Sequence, residues 1–346
     1  MELDIIGYAR PLRETQTLAR EIEDAGFGAL WLTEGGRTAY LSCSAAVLAT
    51  SRLQIGTGIA VAFPRSPMIT AQIAWELAES SGGRFTLGLG SQVKAHVERR
   101  FSSEFAPPGP RMKEYVQALK AIFGAFRGQE KLSFEGRFYN FSLLPPAWSP
   151  GPIDPPDPKV FVSAVLPWMT RMVGEVADGV HVHPFHSPEY LRDVQRPAVE
   201  EGVARAGRKL DEITFQCPIM TAVGDTDEEL EATRAHARTM IGFYGSTRTY
   251  SAVFEHHGFD GLSEELHALQ ARGDIAGMRA SITDEVLDCY TVTGSWNDLG
   301  TKLVERYRDV APTLRVTSYT APETWNRDPS TREKWGHVAQ VMRAAG

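Results

Sequence analysis

At 346 residues the chain is long enough for one large barrel or for two smaller domains, and length alone does not choose. Lys plus Arg number 36 against 43 Asp plus Glu, a formal charge of −7 that is too acidic for a general nucleic-acid binder, while 42% hydrophobic and 23% charged residues are ordinary for a globular protein. Three scattered cysteines without a CxxC indicate neither a disulfide framework nor a zinc knuckle. The opening MELDIIGYARP runs straight into a strand, and no 18-residue apolar span follows, so a cytoplasmic protein without a membrane partner is expected.

Strands and helices alternate along almost the whole chain. Residues 3–8 read as a strand, 12–25 as a helix stopped by Gly26, and 29–33 as a strand. The loop EGGRTAY leads to a small-residue helix around 44–49. LQIGTGIAV is a strand, AFPRSP a proline-broken elbow, MITAQIAWELAESS a helix and GGRFTLGLGSQ the next strand. A loop over 101–110 with three prolines precedes a helix over 112–126. LSFEGRFYNF reads as a hairpin with its turn at Glu135-Gly136, and SLLPPAWSPGPIDPPDP, with seven prolines, as a rigid irregular connector. Strands are expected at 159–164, 180–183, 213–223 and 314–318. Helices are expected at 167–177, 188–206, 225–244 and 298–310, with a mostly helical, irregular stretch over 245–290.

Eight strands with helices between them, and no linker dividing two self-sufficient halves, predict one (β/α)₈ TIM barrel over 1–346 with insertions near 127–158 and 245–290. In such a barrel the active site lies at the C-terminal tips of the strands, where glycines let a flat ligand approach the backbone. GTGIAV is not a dinucleotide fingerprint, because its glycines lead into the apolar run 59–63 and then Pro64 and Pro67 rather than a helix. Rim candidates in strand order are Glu34, Gly58 and Ile59, Ser91 and Gln92 with His96, Val165 to Pro167, and His183 with His186. Glu34 has a plain alternative as a loop cap or pair. His181, His183 and His186 resemble a metal cluster, but no carboxylate lies nearby in sequence. They read better as a polar pocket wall, and no metal is expected. No GxSxG and no GxxxxGK[ST] occur, so nucleophilic hydrolysis and phosphoryl transfer lack their parts.

The succession WLTE, LQIGTGIAVAFPRSPMITAQIAWELAESSGGRFTLGLGSQ and KVFVSAVLPWMTRMVGEVADGVHVHPF resembles the bacterial-luciferase-like superfamily. Within it, the segment resembles the branch of oxidoreductases that use the deazaflavin coenzyme F420. The resemblance runs from Leu3 to about residue 244, with a weaker echo at TVTGSWNDLGTKL. It implies a TIM barrel with insertions and a non-proline cis peptide at Gly58–Ile59 behind the cofactor ring. It also implies ring-edge contacts from Glu34, Ser91, Gln92 and His96, and phosphate contacts from the backbone at Ala164, Val165, Leu166, Pro167 and Trp168, where a helix N-terminus suits an anion. Pro167 has no N–H, so Val165, Leu166 and Trp168 are the expected donors.

Departures from the family pattern matter as much. Relatives often carry Asp-His where this chain has Glu34-Gly35, and Thr-Gly-Glu where it has Ser91-Gln92-Val93; His186 stands at the place of a phosphate-binding lysine, and Leu166 at that of a frequent glycine. With both familiar acid–base groups absent, His96, His183 and Glu34 are the catalytic candidates. Tyr40, Phe63, His183, Phe185 and His186 are the candidate substrate wall, which suggests a small, partly apolar substrate. Three readings stay open: an F420-dependent oxidoreductase, an FMN-dependent luciferase-like monooxygenase, and a non-catalytic cofactor-binding barrel. The resemblance also implies a homodimer, through helices around the second and third units where Ser44, Ala45, Ala46 and Ala49 form a small-residue face.

Overall fold

The computed structural model describes residues 1–346 except 106, 323, 324, 326, 327 and 346. Its strands are β1 (Leu3–Tyr8), β2 (Ala29–Thr33), β3 (Gln54–Thr57), β4 (Ala60–Val61), β5 (Phe85–Gly90), β6 (Phe134–Glu135) and β7 (Asn140–Phe141). They continue with β8 (Lys159–Ala164), β9 (Gly179–Val182), β10 (Thr214–Val223), β11 (Thr291–Gly294) and β12 (Leu314–Ser318).

Parallel pairing runs β1-β2-β3-β5-β8-β9-β10-β12 and returns to β1, which closes the eight-stranded barrel read from the sequence. The strands are apolar runs rather than alternating ones, since both faces are covered, and β5 and β10 are buried from end to end. Parallel neighbours need crossover connections, which is why helices intervene. Gly82, at φ 64°, ends the helix Pro67–Ser81 in the left-handed conformation and turns the chain into β5.

Several elements differ from the sequence reading. The LQIGTGIAV strand is split: β3 pairs β2 and β5, and β4 resumes along the far end of β5, Ala60 opposite Leu89, while the Gly58–Ile59 peptide between them is cis, as the resemblance implies. The helix expected around 44–49 spans Ala39–Ala49, so Ala39 and Tyr40 belong to it rather than to a loop. The helix expected to begin at 112 begins at Pro108, because prolines in a first turn sacrifice only N–H groups that have no intrahelical partner. The hairpin turn lies over 136–139, not at Glu135-Gly136; the Glu114 carboxylate accepts the N–H groups of Arg137, Phe138 and Tyr139 and holds the loop there. TVTG, too short to signal a strand by itself, forms β11 and pairs the outer half of β10, Met220 opposite Thr291. A C-terminal helix, Ser330–Ala345, buries Trp335, Val338 and Met342 against the barrel. Above β9 and β10, Phe185, Tyr190, Ile241, Phe254 and Tyr290 form a second apolar cluster built largely by the 245–290 insertion.

The barrel interior is filled by large polar-edged side chains. Trp31 on β2 donates its indole N–H to Asp4 at 2.9 Å, and Arg315 on β12 grips the same carboxylate with Nε at 2.7 Å and Nη2 at 2.6 Å. Asp4 is fully buried. Glycines on the neighbouring strands make room. A Cβ on Gly56 would stand 2.3 Å from the Trp31 ring, and one on Gly88 would stand 1.9 Å from the Thr57 carbonyl and 2.3 Å from His181. These glycines serve the protein's own packing and not, as their sequence position suggests, the approach of a ligand.

Asp4→Ala should leave Arg315 with only the more exposed Glu2 carboxylate, 3.2 Å away, and the Trp31 N–H without its acceptor, and cost about 3 kcal/mol. Urea denaturation of the variant beside the parent protein measures that loss.

Candidate active site

The cavity opens where the strand tips should place it, at the C-terminal end of the barrel, and encloses about 720 Å³. Gly58, Ile59, Ser91 and Gln92 line it from the tips of β3 and β5, and Ala164, Val165 and Leu166 line it from the tip of β8. His183 lines it one residue beyond β9, whose strand ends at Val182 rather than at His183.

Other predicted residues lie elsewhere. Glu34 does not line the cavity, since its carboxylate is fully used. Oε1 meets Arg65 Nη2 at 2.5 Å, and Oε2 accepts Arg65 Nη1 at 3.0 Å and the Val61 N–H at 2.8 Å. The pair is a strut that fastens the β4 elbow, with Arg65 lying 5.0 Å over the buried Tyr40 ring. His96 is exposed on a π-helical turn, His96–Arg100, outside the cavity lining. Phe63 is buried with Arg111 stacked 4.7 Å over its ring, and Phe185 is buried against Phe254 and Tyr290. His186 is buried, its Nδ1 donating to the His183 carbonyl at 2.7 Å and its Nε2 facing the Tyr307 hydroxyl at 3.2 Å. Pro167 opens the helix Pro167–Val176 beside the cavity, and Trp168 packs over Gly109 rather than into the site.

Further lining residues carry weaker sequence signals. Trp31 and His181 form the floor, their rings edge to face at 4.9 Å. Tyr8 and Tyr319 stand at the tips of β1 and β12, so a uniform search of strand tips finds both. Tyr244 and Tyr250 come from the helix Asp227–Gly245 and the turn after it, where no spacing marks them.

The site's electrostatics follow from what is missing. Among the described residues no Asp, Glu, Lys or Arg lines the cavity; its titratable groups are histidines and tyrosines. The Phe185 N–H donates to His183 Nδ1 at 3.1 Å, which places the ring proton on Nε2, and the ring is held between Tyr244 and Tyr250 at 4.8 and 4.6 Å. Burial, with His186 close by, pushes His183 down to about 3. Burial also pushes His181 down to about 4, against the hydrogen bond its Nδ1 makes with the Gln216 side-chain carbonyl. His181 Nε2 is buried with no hydrogen-bond partner. Both His181 and His183 are therefore neutral at physiological pH.

A profile of luciferase-like monooxygenases matches residues 3–313. The chain belongs to that family. It is 42% identical over 289 residues to an uncharacterized protein of Mycobacterium tuberculosis, a match that covers 84% of this chain and 85% of that one. It is 26% identical over 307 residues to 5,10-methylenetetrahydromethanopterin reductase of Archaeoglobus fulgidus, covering 86% of each chain. The coenzyme F420-dependent tetrahydromethanopterin reductase of Methanopyrus kandleri has the same fold, with a TM-score of 0.78 at 21% identity over 99% of both chains. No helix among the described residues is long and apolar enough to cross a membrane.

His181, His183 and His186, depressed to about 4, 3 and 4, each regain a pKa near 6.5 on unfolding. Between those values the unfolded chain binds the extra protons, so stability is greatest above pH 6.5 and falls as the pH drops, by up to about 1.4 kcal/mol per pH unit for each histidine. Urea midpoints at pH 7 and pH 5 should show the lower value at pH 5.

Proposed function

We propose that this luciferase-like oxidoreductase transfers a hydride between the deazaflavin coenzyme F420 and a small, partly apolar organic substrate. The observation that carries the reading is the similarity to 5,10-methylenetetrahydromethanopterin reductase, 26% identity over 86% of each chain, joined to an aromatic-floored cavity that no described Asp, Glu, Lys or Arg lines. A flat uncharged ring loses little by entering a cavity without ionic groups, whereas an unpaired charge there is heavily penalised.

The chain's own residues fit such a group. Gly58 and Ile59 offer a backbone wall at the floor's edge, Ser91 and Gln92 offer polar edges, and the helix Pro167–Val176 starts at the mouth with free first-turn N–H groups for a phosphate. Bound there, the cofactor would supply a carbon that gives or accepts a hydride. The protein's share is to hold the ring, to exclude water with Trp31, Tyr244 and Tyr250, and to handle one proton without a carboxylate.

The family's description as monooxygenases supports a second reading, FMN-dependent oxygenation. Titration separates the two: quenching of F420 fluorescence by the purified protein is the expected result, and tight binding of FMN with no response to F420 would replace the first reading by the second. Leu166 is 44% exposed, so Leu166→Glu should fold normally while setting a carboxylate at the helix N-terminus. Binding of F420 should weaken about tenfold, and binding of a deazaflavin lacking the phosphate should change little.

A further inference from the structure

Three tyrosines from separate parts of the chain meet in the cavity wall. Tyr319 follows β12, Tyr244 ends the helix Asp227–Gly245, and their hydroxyls share a short hydrogen bond. Tyr8, at the tip of β1 and 61% exposed, adds its own hydroxyl interaction to Tyr319 from the solvent side. The edge of Tyr244 is fixed by the His183 ring at 4.8 Å and by Phe243 at 5.3 Å.

Three hydroxyls in a row hold three protons and spend two on the bonds between them; when Tyr8 donates to Tyr319 and Tyr319 to Tyr244, the O–H of Tyr244 is left free to donate. Burial raises the pKa of both phenols, and the bond between them adds to the rise for Tyr319 while working against it for Tyr244, so both stay protonated at neutral pH and act as donors rather than bases. The other hydroxyl pair at this cavity, Thr221 with the lining residue Thr320, also bonds the Thr221 carbonyl, and among the described residues no Asp, Glu, Lys or Arg lines the cavity.

We propose that the Tyr244–Tyr319 hydroxyl pair binds the carbonyl oxygen of an uncharged substrate and delivers the proton of its reduction, with Tyr8 linking the pair to water. The proposal deepens the hydride-transfer reading and rests on it for its reductant. In the step, the carbonyl carbon gains a hydride from the reduced cofactor, which is oxidised by two electrons. The carbonyl oxygen gains the free hydroxyl proton, so that C=O becomes CH–OH, and the phenol is reprotonated from water past Tyr8. Among the described residues no Lys or Arg lines the cavity to pair with an anionic substrate, which disfavours one.

Equilibrium dialysis without cofactor tests the binding half directly, with three probes that share one ring system: 2-acetylnaphthalene, 2-ethylnaphthalene and 2-naphthoate. The ketone should bind about tenfold tighter than the hydrocarbon, the worth of one well-made hydrogen bond, and the carboxylate should bind weakest. In the double variant Tyr244→Phe/Tyr319→Phe, which removes both donors, that preference should shrink to within about twofold, with 2-ethylnaphthalene bound as in the parent protein. Unchanged hydrocarbon binding shows that the pocket has kept its shape. If the double variant loses hydrocarbon binding, the pair only supports the wall and the proposal falls. A ketone preference that survives in the double variant overturns the proposal, as does 2-naphthoate binding as tightly as the ketone by the parent protein. A separate F420 titration of the same proteins reads the cofactor assignment: failure there with the ketone preference intact overturns the cofactor reading and leaves the oxygen site standing.

Discussion

Everything above the barrel floor rests on how one indole is seated. Trp31 fills the space that Gly56 leaves, ties its N–H to the buried Asp4, and stacks on Phe161 at 5.8 Å. Arg315 completes the charge on Asp4, so the plug is held by a paired carboxylate and not by packing alone. On that plug sits His181, pinned through Gln216 to Thr317 and fitted against Gly88. The cavity begins where these side chains end. A smaller residue at position 31 would deepen it into the barrel, and a larger one at Gly56 or Gly88 would lift the floor into the site.

The barrel is legible in the sequence because its signal is repetitive. Each buried strand is an apolar run bounded by glycine, proline or charge, and eight of them separated by helical periods leave few alternatives. What escapes is short or context-dependent. TVTG has only four residues and pairs beyond the closed ring, and the first turn at Pro108 looks like a loop because proline is read as a breaker. Tyr40 looks like a rim residue only while its segment is taken for a loop; the segment is a helix, and its inward face buries the ring.

The site is legible at strand tips and poorly elsewhere. Gly58, Ile59, Ser91, Gln92 and His183 sit at or just past strand ends, and the fold alone turns them toward the cavity. Glu34 also follows a strand, but the sequence does not announce that Arg65, 31 residues later across a proline elbow, will consume its carboxylate. Pairing of that kind is a tertiary fact. The same holds for Tyr244 and Tyr250, which reach the cavity only because the insertion after β10 folds back over the barrel mouth.

That geometry explains how a barrel lacking the family's usual ionisable pair can still be built for chemistry. A carboxylate or protonated histidine in this cavity would need a counter-charge, and none of the described lining residues supplies one. Burial has instead left His181 and His183 as neutral, oriented rings, and has left the tyrosines as hydroxyls that hold their protons. Neutral donors tolerate a dry cavity, and a dry cavity strengthens the hydrogen bonds they make. The acid that other strand tips could have carried is spent instead on structure, where Glu34 anchors the elbow that shapes the wall at Ile59. The hydroxyl groups of this wall therefore come from two strand tips, Tyr8 on β1 and Tyr319 after β12, and from the helix and turn after β10. The helix and turn after β10 are the part of this wall that the barrel fold constrains least.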